Sequence, residues 1–338
     1  MEQDRPEVVV ITGASAGVGR AVVREFARRS AAIGLIARGE GRLELARREV
    51  EQLGGRAMAL SVDVADAGAV QQAADQVARS FGPIDVWVNN AMTTVFAPVN
   101  DIRPEEFKRA TEVTYLGCVY GTMAALKHMR ERNQGTIVQV GSALAYRSIP
   151  LQAPYCGAKH AIVGFTDSLR CELIHQKSNI HVTVVHLPAM NTPQFSWCRT
   201  RLPRHPRPVP PIFEPEVAAR AIYYAAHSRR REIFVGGPTV KAIYGQDVAP
   251  SFSDWYLGTH GYDAQQTSEP VPPNRPDNLF ESVPGDWAAH GIFTGQARDF
   301  SLQNWANLRR LPVALAAAGI AGVGALLWRR RRPDSSLG

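Results

Sequence analysis

Cysteine is scarce: four in 338 residues, Cys118, Cys156, Cys171 and Cys198. They form no C-x-x-C pair and no Cys/His spacing of the kind that holds zinc. A disulfide scaffold is excluded, no metal is expected, and the thiols read as reduced in a cytosolic protein. The nine histidines are scattered and add no ligand pattern. No basic stretch is interleaved with aromatics, so a nucleic-acid partner is not expected. There are no internal repeats, which excludes solenoids and propellers. The opening "MEQDRPEVVV" is charged and passes directly into a strand-like run, so we expect no signal peptide.

What the chain has instead is basic charge, unevenly spread. Lys and Arg outnumber Asp and Glu by 38 to 31, a net charge of +7. Arginines gather in "CRTRLPRHPRPVPP", in "SRRR" (Ser228 to Arg231) and in "WRRRRP" (Trp328 to Pro333). Such clusters attract phosphates or anionic lipid, although "SRRR" is read more simply as a solvated face. The length allows one large α/β domain with an extension, or two small domains.

Strand-like and helix-like segments alternate through the first 240 residues. "EVVVIT" is a β-branched run, "GVGRAVVREFARRS" has helical spacing, and "AAIGLIA" is a second strand before the helix "GRLELARREVEQLG". Then come strand "AMALSVD", a helix capped by Asp66, strand "IDVWVNNA" and a long helix from about Pro104 to Arg130. Strand "TIVQVGS", a helix from Pro154 to His175, strand "HVTVVHLP", a helix from Pro215 to Ala226 and strand "EIFVGG" complete the series. Apolar strands alternating with amphipathic helices imply an α/β fold: a doubly wound parallel sheet of about seven strands, helices on both faces, right-handed crossovers.

The texture then changes. Residues 1–245 read as the catalytic domain and 246–310 as an irregular, packed extension rich in Pro, Asp, Trp and Gly, because Trp255, Tyr256, Trp287 and Phe293 are too apolar for a free linker. "LPVALAAAGIAGVGALLW", residues 311–328, is eighteen residues without a charge, between arginines on both sides. As a helix it would reach roughly 27 Å at ~1.5 Å per residue, just short of a ~30 Å hydrocarbon core. With no polar stripe and an Ala318/Gly322 small-xxx-small pair, it is expected to associate with a membrane as an apolar helix ahead of a basic tail, 329–338. Four arginines beyond it oppose a simple span from the cytoplasm, which leaves lying in the interface or pairing with another helix.

Between the first strand and helix runs "ITGASAGVGRAVV", with Gly13, Gly17 and Gly19. Glycines there allow a sharp turn, close approach of backbone N–H groups to a pyrophosphate, and tight strand–helix packing, with the helix N-terminus facing the anion. The ribose discriminator belongs at the end of strand two, where "LIARGE" offers Arg38 and no carboxylate. An arginine there can clamp a 2′-phosphate, so NADP(H) is expected ahead of NAD(H). Tyr155 and Lys159 lie four apart in "YCGAK", on one face of a helix.

The G-x-x-x-G-x-G spacing, with Thr12 in front, resembles the short-chain dehydrogenase/reductase family, whose fold is Rossmann-like. The resemblance continues through Asp63-Val64, through Asn89-Asn90-Ala91, through Ser142, and through the Tyr155–Lys159 pair thirteen positions on, and covers about residues 5 to 240. It implies cofactor contacts from Thr12, Gly13, Ser15, Gly17, Val18, Gly19, Arg38, Asp63, Val64, Asn89, Asn90, Ala91, Pro188 and Thr192, besides Tyr155 and Lys159. It also implies Tyr155 as acid/base, Lys159 lowering the phenol's pKa and binding ribose, and Ser142 orienting the substrate oxygen. Bringing a phenol from ~10 to ~7 takes about 4 kcal/mol of differential stabilisation. Relatives carry an asparagine where "EVTYLG" has Thr114, so a weakened proton relay is expected, and Thr114→Asn should turn over faster. Ala189 and Met92 likewise stand where relatives have glycine. The loop 188–214 is expected to be the substrate lid. Its Met190, Phe195, Trp197, Ile212 and Phe213 suggest a small lipophilic carbonyl or alcohol substrate. A homodimer or homotetramer through helices 104–130 and 153–177 is implied by resemblance. The rival reading is a dinucleotide-binding sensor or scaffold with weakened catalysis.

Overall fold

The computed structural model describes residues 5–310. Seven strands form one wholly parallel sheet. They are β1 (Val8–Thr12), β2 (Ala32–Ala37), β3 (Arg56–Ser61), β4 (Val86–Asn89), β5 (Thr136–Ser142), β6 (His181–Leu187) and β7 (Glu232–Phe234). Their order across the sheet is β7-β6-β5-β4-β1-β2-β3. The direction of progression reverses between β1 and β4, and the loops that leave these strands part there to form a crevice at the strands' carboxyl ends.

Helices α1 (Gly17–Ala27), α2 (Glu40–Gln52), α3 (Ala67–Phe81), α4 (Pro104–Thr111), α5 (Gly117–Arg130), α6 (Ala153–His175) and α7 (Pro215–Ala226) cover the two faces. One apolar cluster joins α1, α2 and α7 to the sheet around Phe26, Leu35 and Ile222. A second lies on the other face around Trp87, Met129 and Ile137. Phe26 and Trp87 are fully buried, each worth on the order of 2–3 kcal/mol of transfer free energy. Asp66 caps α3 as expected, accepting from the Ala69 N–H at 2.9 Å. The long helix from Pro104 to Arg130 is continuous but opens into one wide π turn at Glu112–Leu116, between α4 and α5.

The extension is not irregular throughout. It holds α8 (Gly237–Val248), α9 (Pro250–Ala264) and α10 (Leu302–Leu308), so the expected boundary at 245 falls inside a helix. The period was hidden because the aromatics of α9 gather on its outer side, while the side that packs on the body is made largely of small residues and buries only Gly261, so no apolar stripe marks the buried face. The remainder is held by short ladders to the lid. Gln266–Pro270 pairs with Arg204–Pro206, and Ala297–Arg298 with Ile212–Phe213. Among the described residues no helix is long and apolar enough to cross a membrane. The segments 311–328 and 329–338, for which a membrane-associated helix and a basic tail are expected, lie outside the described residues.

Candidate active site

The first turn has the backbone its glycines allow. Gly13 sits at φ +67, and a Cβ on Gly19 would stand 2.0 Å from the Gly13 carbonyl oxygen. Neither position tolerates a side chain without moving the turn. Thr12 braces it from below: its hydroxyl accepts from the N–H groups of Asn90 (3.0 Å) and Ala91 (3.1 Å). The Asn90 amide donates to the Thr12 carbonyl at 3.0 Å. The turn after β1 and the turn after β4 are thus one unit.

A cavity of about 470 Å³ runs from this unit along the strand ends. Gly13, Ser15, Gly17, Val18, Arg38, Asp63, Val64, Asn90 and Ala91 line its first half. Ser142, Tyr155, Lys159, Pro188 and Thr192 line the rest. Thr12, Gly19, Asn89 and Thr114 do not reach it. For Asn89 the reason is a buried polar network. Its carbonyl oxygen accepts from the Trp87 indole (2.8 Å), and its amide donates to Gln139 (2.9 Å) and Thr122 (3.0 Å). The Asn89 side chain is therefore committed to the core and does not line the cavity. Thr114 sits in the π turn with both capacities of its hydroxyl used within the Thr93 backbone. It donates to the carbonyl at 2.8 Å and accepts from the N–H at 3.0 Å.

Ser142 ends β5, so its side chain stands at the carboxyl edge near the Tyr155 phenol, accepting from the Leu144 N–H at 3.1 Å. Tyr155 and Lys159 project from the first turns of α6, which Pro154 opens at a position needing no backbone donor. Lys159 is 3% exposed. Its ammonium donates to the Val140 carbonyl at 2.6 Å and lies 5.5 Å from the Tyr155 ring centroid. Burial draws its pKa down to about 8. Burial also dominates at the phenol, pushing it up to about 12, with the Ser142 hydroxyl acting in the opposite sense. In this state the phenol therefore stands above its ordinary value, and the lowering expected from Lys159 is not what sets it. Cys156 is buried, with its thiol pushed up by that burial, and fills the core.

The extension lies across the half of the cavity that the glycine turn, Arg38 and Asp63 line. The Arg38 guanidinium, expected to meet a 2′-phosphate, donates instead to the carbonyls of Asn278 (2.5 Å), Phe280 (2.8 Å) and Leu279 (3.4 Å). The Gly17 N–H donates to the Ala288 carbonyl at 2.9 Å. Asp63 is paired with Arg109, whose guanidinium also reaches the Leu279 carbonyl at 3.1 Å. Sequence reading missed Arg42. It lines the cavity at 9% exposure, with Nε and Nη1 unpartnered. Its guanidinium lies 4.9 Å over the Trp197 ring, and burial lowers its pKa against the pull of Asp286. The available signal was a second arginine four residues after Arg38, in the first turn of α2.

The lid is pinned as well. Arg275 donates to the carbonyls of Phe195 (2.5 Å), Cys198 (2.7 Å) and Ser196 (2.9 Å). Phe195 of the lid shares the cavity wall with Phe96, Leu144, Ile149 and Leu257 of α9.

A doubly wound sheet with a glycine-rich first turn and a cavity at its topological switch point defines a dinucleotide-binding protein. The model of the family described as short chain dehydrogenase matches residues 7–201, and the chain belongs to that family of oxidoreductases. The chain is 31% identical to an uncharacterized oxidoreductase, YxnA, of Bacillus subtilis (strain 168), over 94% of this chain and 89% of that protein. It is 31% identical to the human (Homo sapiens) 17-beta-hydroxysteroid dehydrogenase 13, over 82% of this chain and 86% of the relative. Among solved structures, an alcohol dehydrogenase from the archaeon Thermococcus sibiricus, complexed with 5-hydroxy-NADP, superposes with a TM-score of 0.60 at 26% identity. That match covers 68% of this chain and 96% of the other.

Proposed function

We propose that the protein is an NADP(H)-dependent oxidoreductase that interconverts a carbonyl and an alcohol on a lipophilic substrate. One observation carries this reading: Ser142, Tyr155 and Lys159 converge on the apolar end of a cavity whose other end is the glycine turn. The residues present fit a dinucleotide. Gly13 and Gly19 leave no room for side chains beside the turn, and the unpartnered, buried Arg42 donors suit a phosphate. Ser15 and the α1 N-terminus would face the pyrophosphate, and Lys159 the nicotinamide ribose. With Arg38 committed to the extension, Arg42 is the cation we assign to the 2′-phosphate.

Bound there, the cofactor supplies or accepts the hydride. The protein's part is proton handling and orientation. Ser142 Oγ would hold the substrate oxygen beside the phenol. Tyr155 would give that oxygen its proton on reduction and take it back on oxidation, a contribution of ~10²–10⁴ in rate. Lys159, already buried one helical turn away, would hold positive charge against the phenolate. The apolar wall of Phe96, Leu144, Ile149 and Phe195 favours a substrate with a hydrocarbon body, and the relative named for hydroxysteroid dehydrogenation supports that class.

The test is NADPH oxidation with a panel of lipophilic ketones and aldehydes. Arg42→Ala should weaken NADPH binding about tenfold and leave NADH binding within about twofold; equal loss for both cofactors would remove the phosphate role. A second reading is favoured by the bonds Gly17 and Arg38 make to the extension and by the satisfied Thr114 hydroxyl. In that reading the protein binds the dinucleotide as a sensor and turns over little. Tight NADPH binding without oxidation on any carbonyl of the panel would select it.

A further inference from the structure

The α8–α9 hairpin presents an apolar surface that nothing in the described structure covers. Val248, Phe252 and Trp255 are 84%, 60% and 60% exposed, and Tyr244 and Tyr262 are exposed beside them. On α9 the rings are contiguous: Phe252 lies 5.7 Å from Trp255 and stacks on Tyr256 at 6.3 Å, and Tyr256 stacks on His260 at 4.8 Å. The helix is fastened to the body at few points. Gly261 rests on Pro150, Arg147 pairs with Asp254 at 2.7 Å, and Gln265 donates to the Pro150 carbonyl at 2.9 Å. A helix this apolar with one buried residue has given up much of the stabilisation its aromatics offer.

Where the described chain ends indicates what covers the hairpin. Gln303 and Asn307 of α10 both donate to the Phe234 carbonyl, at 3.0 and 3.4 Å, and the Phe234 ring lies edge-on to Tyr244 at 6.4 Å. The chain therefore reaches Arg310 beside the hairpin, at the same sheet edge, where Leu302 and Trp305 are exposed too. The next eighteen residues of the sequence carry no charge. A second copy of the chain seated on the hairpin would leave that uncharged run uncovered. A bilayer accepts both, and Trp, Tyr and Phe are the side chains that favour its headgroup layer.

We propose that the α8–α9 hairpin seats on a phospholipid bilayer, with Tyr244, Phe252 and Trp255 in the headgroup region. Tyr256, Leu257, His260, Gly261 and Ala264 of the same helix line the cavity, so α9 alone stands between cavity and lipid. The proposal does not depend on the reaction assigned above.

The test is hydrogen exchange of the full chain with and without vesicles of phosphatidylcholine and phosphatidylserine, read peptide by peptide. Added vesicles should slow exchange across 240–262. Phe252→Ser combined with Trp255→Ser should lower vesicle partitioning roughly tenfold or more, with the melting temperature unchanged. Should that variant prove unstable, the exchange experiment on the natural chain still decides. Protection confined to 311–328 would overturn the proposal, as would no change at the hairpin. Protection of the hairpin that grows with protein concentration in the absence of lipid would assign the surface to a second copy instead.

Discussion

The sheet core and the extension beyond β7 are built on different principles. In the core, each element follows from its own residues: apolar strands buried on both faces, helices with an apolar side, a side-chain cap where α3 begins. In the segment from Pro272 to Phe293, order comes from afar. Its backbone carbonyls accept from Arg38 and Arg109, its Arg275 reaches lid carbonyls, and its Gly291 and Phe293 N–H groups bond to Asn191. The core thus encodes itself locally, while the extension is held by arginine bonds that span some 80 to 240 positions. A strap of this kind touches both the lid and the Arg38 end of the cavity in one piece.

The comparison can be tested from either side. On the core side, the largest effect is expected at Lys159. Its pKa is drawn from 10.5 to about 8 in the folded chain. Below pH 8 the folded state must hold a charge it disfavours, and the unfolded state keeps more protons between pH 8 and 10.5. Stability is therefore expected to rise through that window. Lys159→Met should add up to about 3 kcal/mol at pH 7, with the gain shrinking towards pH 10; chemical denaturation at the two pH values measures it. An equal gain at both would mean that packing, not charge, is responsible.

On the extension side, Arg275→Ala leaves three lid carbonyls without their donor. A loss of about 2 kcal/mol is expected, confined to the lid and extension. Hydrogen exchange should quicken there by about thirtyfold, while β1, β4 and β5 stay protected. If the sheet loosened equally, the two regions would be one cooperative unit and the contrast would fail. The smallest effect is expected at Asp66→Ala, which removes the α3 cap for about 1 kcal/mol. Its cost should appear in exchange at the start of α3 and leave the extension untouched.

The same contrast explains what could be read from the chain. Strands, core helices and the Ser142–Tyr155–Lys159 spacing were legible because period and fixed offsets are local properties. The burial of the Asn89 side chain was not legible because it depends on Trp87, Thr122 and Gln139 meeting it in three dimensions. Arg42 was missed and Arg38 read alone, because the carbonyls that occupy Arg38 come from residues 278–280. Helix α9 was read as irregular because the side it turns to the body buries only Gly261 and carries no apolar stripe to detect.

The central claim is that the Tyr155 phenol moves the proton while hydride passes to or from a lipophilic substrate. Stopped-flow NADPH oxidation by the natural chain and by Tyr155→Phe, on the best carbonyl of the panel, tests it most directly. The account expects the variant to bind NADPH unchanged and to lose ~10²–10⁴ in turnover. A variant that turns over within about threefold of the natural chain would contradict it, because the removed hydroxyl could then not be the acid at that step.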